Sequence, residues 1–252
     1  RYAGKLESLP CLVEDFVYDD INLESGNQMV SAGLNNLFGE VMWFYPTSSS
    51  SVINRMVAYN YFDSSSRRPV WTNGSLSRTM WRDSAVFGLP HATEYDADTD
   101  TSFDVVGNTD GISFYYEHET GTDQVRGSSV TTITSNISSG DYDITAQRAA
   151  TGQQTGIATF RGDGEFLMKI RRFVPDFISQ TGSTRVTLEL RNYPNNSQAS
   201  SSLGPFDITS STTKVDTRAR ARAVALKIEN TAASQSWKLG TFRLDVQPDG
   251  RR

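Results

Sequence analysis

The chain has 252 residues, 37% apolar and 11% aromatic, with thirteen Phe, ten Tyr and four Trp. That excludes a disordered chain and leaves room for one large β-rich domain or two small ones. Net charge is −5 and the pI is near 5.1, which excludes a protein built as a whole to grip phosphates.

The polar excess is Ser, Thr, Asn and Asp, residues of turns and β surfaces, and predicts an all-β fold with many hairpins. The single cysteine, Cys11, rules out an intrachain disulfide framework and fits assembly in a reducing cytoplasm. No stretch has the length of a membrane helix, and no signal peptide is visible. The chain starts at Arg1 rather than Met, the expected mark of a fragment or processed product.

In chain order, Cys11 to Tyr18 reads as a strand, and Ile21 to Leu37, with its Gly and Asn, as a connection. Residues 38–83 are the clearest part. Val41, Trp43 and Tyr45 fall on one face of a strand, and Met42 and Phe44 on the other, as in a strand buried on both sides. Pro46 to Ser51 turns, Val52 to Tyr61 returns, and Asp63 to Pro69 turns again. Trp71 opens a third strand, with Asn73-Gly74 as a hairpin signal, and Arg78 to Trp81 a fourth. Such a set matches the size of one propeller blade. A weaker echo follows: Phe103 to Val106 and Ile112 to Glu119 as a hairpin, then Val130 to Ser135, Tyr142 to Thr145 and Ile157 to Phe160.

Residues 165–252 have a different texture. Glu165 to Phe173 reads as a strand. Arg185 to Arg191 alternates cleanly between Val186, Leu188, Leu190 and their polar neighbours, a half-buried strand. Residues 192–212 read as a Ser- and Asn-rich loop, Lys214 to Glu229 as one long strand, and Trp237 to Val246 as the last. The expected architecture is all-β: propeller-like antiparallel blades over 1–164, incomplete without an upstream part, then a C-terminal β module or final blade over 165–252. The boundary falls near Gly162–Gly164. No helix longer than a turn or two is expected.

Few residues suggest chemistry. Asp96, Asp98, Asp100 and Asp104 alternate as the carboxylates of a calcium loop do, but the sixth position is Thr101 instead of Gly and the twelfth is Gly107 instead of Glu. An EF-hand is excluded. A looser Ca²⁺ or Mg²⁺ site and a solvated acidic turn both fit, and like charges in clusters usually face water. His91 and His118 are the only histidines. Flanked by Glu117 and Glu119 on a strand, His118 points away from both, which builds no metal site and predicts a surface or interface role. No G-x-S-x-G elbow marks a nucleophile. Arg161-Gly162-Asp163-Gly164 holds an adhesion tripeptide but reads more simply as a hairpin turn.

Arg218, Arg220 and Arg222 form the sharpest charge feature. In one extended strand they share a side, opposite Ala219, Ala221 and Ala223, and Val224, Leu226 and Ile228 continue that side. The arginines are either solvated or meet a partner. Their guanidinium forks suit a neighbouring subunit's carboxylates, and the acidic chain favours that over DNA.

Three blocks carry a family likeness. They are Phe38 to Pro46 with Tyr59-Asn60-Tyr61; Leu76 to Trp81 through Val86 to Pro90 with Tyr116 to Gly121; and Ser210 to Asp216, Arg218 to Arg222, Trp237 to Gly240 and Arg243 to Arg252. Together, over most of residues 10–252, they resemble the C-terminal part of phage tail nozzle proteins, also called tail tubular protein B or DNA-stabilisation proteins. The resemblance implies a β-propeller-based subunit of a homo-hexameric ring in the virion tail, assembled in the host bacterial cytoplasm. Its partners would be the tail adaptor, tail fibres, and viral DNA passing without sequence specificity. It implies no cofactor and no catalytic residues, so no enzyme. The alternative is a glycan-binding or glycan-cleaving tail propeller, although the S-x-D-x-G-x-x-W box of sialidase blades is missing. A capsid decoration protein differs from the first reading only in symmetry and location.

Overall fold

The computed structural model describes residues 9–24, 29–65, 68–84, 88–97, 111–126, 128–148, 154–159, 166–193 and 201–250. The fold is all-β, with one short helix among the described residues, and the chain divides into two units, residues 1–120 and 121–252. The expected boundary near Gly162–Gly164 lies outside the described residues, and the division falls some forty residues earlier in the chain.

The first unit opens with α1 (Glu14–Asp20), where the sequence suggested a strand. The period decides it. Val13, Phe16, Val17 and Asp20 recur at helical spacing, and Glu14 and Asp15 in the first turn favour the positive end of the helix dipole. The helix is pinned at its end. Asp20 accepts from the Ser48 N–H at 2.5 Å through its carbonyl and pairs with Arg55 at 3.1 Å.

β1 (Ser31–Asn35), β2 (Glu40–Tyr45), β3 (Arg55–Ser65) and β4 (Arg68–Gly74) then form a four-stranded antiparallel meander in chain order. β1 was read as connection because Gly33 and Asn35 are poor strand residues. It pairs with β2 from Ser31 opposite Phe44 to Asn35 opposite Glu40. Asn73-Gly74 is no hairpin turn: it ends β4 opposite Val57 and Met56. The chain then enters a second meander of β5 (Met80–Arg82), β6 (His91–Asp96) and β7 (Ile112–Glu117), so the strand at Met80 starts a new sheet instead of closing the first. The hairpin expected at Phe103 to Val106 lies outside the described residues.

The two sheets meet at a buried cluster of Met42, Phe44, Ile53 and Ala58, closed by Trp81. Trp81 stacks on Phe44 at 6.0 Å, and its Nε1–H donates to Leu34 O at 3.0 Å. It lies directly over Gly33, where a Cβ would come within 2.6 Å of it. Gly33 is therefore what lets β1 approach β5.

The second unit begins with short strands: β8 (Asp123–Arg126), β9 (Ser129–Thr132), β10 (Ser135–Ser138), β11 (Tyr142–Asp143), β12 (Thr145–Arg148) and β13 (Gln154–Thr159). It continues with β14 (Met168–Val174), β15 (Phe177–Thr181), β16 (Thr184–Arg191), β17 (Ser201–Ile208), β18 (Val215–Ala221), β19 (Ala223–Asn230), β20 (Ser236–Leu239) and β21 (Arg243–Pro248).

One sheet has the order β10-β19-β16-β17, with β11 also on β19, and a second the order β18-β14-β21. Val186, Leu188, Leu190, Val224, Leu226 and Ile228 of the first share a buried core with Met168, Ile170, Phe173, Ala219 and Ala221 of the second. β11, read from sequence as a trailing blade strand, and β10, just past the strand expected at Val130 to Ser135, extend this core sheet, with Ile137 opposite Ile228 and Tyr142 opposite Val224. The Ser-rich 192–212 segment is not all loop: 201–208 is β17, an edge strand, which is where Pro205 is tolerated.

Lys214 to Glu229 is two strands, not one. The chain passes from the β14 sheet to the β16 sheet at Arg222, and the passage resets the inside-outside parity. Thr217, Ala219 and Ala221 are buried before it, and Val224, Leu226 and Ile228 after it. The arginines and the later aliphatics therefore do not share a face, contrary to the single-strand reading.

Candidate functional surface

The outer face of the β18-β14-β21 sheet collects cations. With Met168, Ile170 and Phe173 turned inward, β14 exposes Lys169, Arg171 and Arg172. A register shift between Ile170 and Arg172 places two arginines side by side on the outside. β18 adds Arg218 and Arg220, and β21 adds Arg243. Lys169 and Arg220 stand directly opposite each other, a like-charge pairing that costs stability unless it is offset.

Part of it is offset. Arg220 Nε lies 2.5 Å from Asp249, and Arg172 Nε is 3.4 Å from Asp216 and 3.7 Å from Asp245. Lys169, Arg171 and Arg218 have no ion-pair partner among the described residues. They line a cleft of about 460 Å³ with Arg172 and Thr217. The structure thus brings Arg218 and Arg220 onto one outer face. Arg222 lies half-buried at the passage between the sheets, its N–H donating to Arg191 O at 3.1 Å. Sequence reasoning missed Lys169, Arg171 and Arg172, which come from a strand some fifty residues earlier.

Charge is segregated between the units. Residues 1–120 hold seven Lys or Arg against seventeen Asp or Glu, a net of −10, and residues 121–252 hold seventeen against twelve, a net of +5. Between Lys5 and Arg55 there are seven carboxylates and no basic residue.

The first unit also contains a buried polar network. Arg78 pairs with Glu94 at 2.9 Å, and both are nearly inaccessible. Its Nε–H donates to His118 Nε2 at 2.8 Å, and its guanidinium sits 4.2 Å from the centre of the Tyr116 ring. Burial, then the Arg78 cation and then His91, push the His118 imidazole down to about 4, so at neutral pH it is an uncharged acceptor. Its ring lies 4.6 Å from Trp81. His118 is therefore an interior bracket joining the start of β5, the middle of β6 and the end of β7, not the surface residue expected from its glutamate neighbours. The positive φ of Glu119, +62°, turns the chain just after it. A buried cation, its anion and a neutral imidazole held together in this way tie the ends of three strands to one another.

Glu40 faces a related environment. Burial first, and Glu119 second, raise its carboxyl above the ordinary range. Of the acidic loop, Asp96 closes β6 opposite Ile112, while Asp98, Asp100 and Asp104 lie outside the described residues, as does Arg161 to Gly164. Among the described residues no three His, Cys, Asp or Glu side chains gather as metal ligands. No described helix is long and apolar enough to cross a membrane.

Comparison with known proteins returned no matching family model and no matching characterised protein.

Proposed function

We propose that this chain is a structural subunit of a virion: part of the nozzle ring of a short phage tail, a homo-hexamer around the distal DNA channel. The observation that carries the reading is the first unit's pair of antiparallel meanders. A four-stranded and a three-stranded sheet follow one another in chain order, packed through Trp81 over Gly33. Successive blades of a propeller are built in this way, and propeller blades are what the sequence likeness implies.

The role is mechanical and electrostatic, with no catalytic step. Aromatic-packed sheets hold a fixed bore, the turn near 46–51 reaches adaptor or fibre proteins, and acidic surface keeps DNA from adhering as it passes. The net −10 of residues 1–120 supports such a wall.

Immunogold electron microscopy of intact virions, with antibody raised to this chain, tests the reading. Label at one vertex, at the tip of a short tail, is the expected result. Label over the capsid would instead make the chain a decoration protein. Label on fibres alone would favour the glycan-binding alternative.

A further inference from the structure

We propose that the outer face of the β18-β14-β21 sheet docks the acidic α1 segment of a second copy of this chain, so that copies associate head to tail. Three observations meet here. Lys169, Arg171 and Arg218 line one cleft and lack ion-pair partners among the described residues. The complementary charge is in the same chain, in the stretch from Lys5 to Arg55 that holds carboxylates only. Within that stretch α1 and its flanks present exposed Glu14, Asp15 and Asp19 beside Leu12, Tyr18 and Leu23, large apolar side chains that are also exposed.

That mixture suits arginine. A guanidinium fork binds a carboxylate through two N–H donors, while its flat face and aliphatic stem lie against aromatic and aliphatic groups. Asp20, the remaining acid of the helix, is already held by Arg55 and stays out of the contact.

A nucleic acid fits the face less well. Six cations, Lys169, Arg171, Arg172, Arg218, Arg220 and Arg243, are interleaved with Asp216, Asp245 and Asp249. A phosphate backbone would lay unbroken negative charge across those carboxylates. α1 carries its acids between apolar residues and leaves them room.

The contact is heterologous: each copy offers one basic face and one acidic helix, so the association closes into a ring or grows open-ended. It deepens the ring reading above and rests on that reading for closure alone.

The test uses the whole chain in sedimentation velocity from about 0.05 to about 0.5 M salt. The expected result is concentration-dependent association that weakens about tenfold or more over that range, as the screening length shrinks. Arg171→Glu with Arg218→Glu should abolish it while leaving the melting temperature unchanged. The same should hold for Glu14→Lys with Asp15→Lys and Asp19→Lys. Mixing the two variants should restore association, since the basic face of the helix variant meets the acidic helix of the face variant with native signs, and the two reversed surfaces are complementary as well. A chain that stays monomeric at low salt, or a folded Arg171→Glu/Arg218→Glu variant that associates like the parent, overturns the docking. So does a DNA duplex that occupies the face while the chain remains monomeric. Virion labelling is read independently: tail-tip label with a monomeric chain would remove this contact and leave the tail assignment standing.

Discussion

Replacing Gly33 by alanine tests whether the two meanders of the first unit pack face to face. Gly33 sits in β1 at a backbone conformation open to any residue, so nothing in φ demands glycine there. On an uncovered strand, alanine would stabilise by about 0.5–1 kcal/mol, because it restricts the unfolded chain. The structure puts Trp81 in the way. The new Cβ would lie 2.6 Å from Trp81 Cβ and Cγ and 2.7 Å from Cδ1, atoms at the root of the side chain that cannot swing aside. The indole is also held by its bond to Leu34 O and by its stacking on Phe44. Overpacking of this kind costs about 1–3 kcal/mol, so the net effect is a loss of roughly 1–2 kcal/mol after the entropic gain is subtracted. Urea unfolding followed by tryptophan fluorescence reads it, since Trp43, Trp71 and Trp81 are in the first unit and only Trp237 in the second. With a slope of about 1.5 kcal/mol/M, the midpoint should fall by about 1 M. In a Trp81→Ala background the same change should turn neutral or stabilising, giving a coupling of about 2 kcal/mol between sites that are far apart in sequence. A Gly33→Ala variant with a raised midpoint in the parent background would refute the packing of β1 on β5, and with it the stacked-blade reading.

Glu94→Gln removes the carboxylate paired with the buried Arg78 cation, a loss of about 3–5 kcal/mol on unfolding of the first unit; Arg78→Met with Glu94→Leu together should recover most of it. His118 binds its proton only near pH 4 when folded but near 6.5 when unfolded, so the unfolded state holds more protons between those values. Its contribution leaves stability unaffected above about 6.5 and lowers it as pH falls toward 4. His118→Gln, which keeps an acceptor for Arg78, should flatten that slope in pH-dependent urea melts. Phe173 is fully buried in the second unit, 5.4 Å from Phe242 and 5.6 Å from Phe206, and Phe173→Ala should cost about 3–5 kcal/mol there, read by calorimetry as a shift of one transition with the other unchanged.

What was legible in the sequence was periodicity within single strands. Val186, Leu188 and Leu190 alternate, and all three are buried. Met42 and Phe44 are buried as expected, but Val41 and Trp43 on the other face are only half-buried, and of the blade-sized set only the middle strands share a sheet, which takes its fourth strand from Ser31–Asn35 instead of Arg78 to Trp81. What failed was local propensity overridden by neighbours. Gly33 and Asn35 disguise a strand because Gly33 makes room for Trp81 and Asn35 is buried to donate to Glu119, and β17 hides in a Ser-rich stretch because edge strands tolerate such residues. Asn73-Gly74 carried a hairpin signal, but the chain uses it to leave one sheet for the next.

The site was less legible for two separable reasons. A net charge of −5 is a sum over two units of opposite sign, and a sum carries no geometry; the same count taken on either side of residue 120 gives −10 and +5, not a uniformly acidic chain. The second reason is topological. Alternation identifies which residues share a face only while the strand stays in one sheet, and Arg222 is where this strand does not. Before it, arginines at even positions point outward; after it, even positions point inward and carry Val224, Leu226 and Ile228. The basic face therefore ends where the core of the neighbouring sheet begins. It is completed sideways, by Lys169, Arg171 and Arg172 on β14, instead of along the chain. A partner that reads this surface meets two adjacent strands at once, so single substitutions at Arg218 or Arg171 should each weaken its grip less than the pair together.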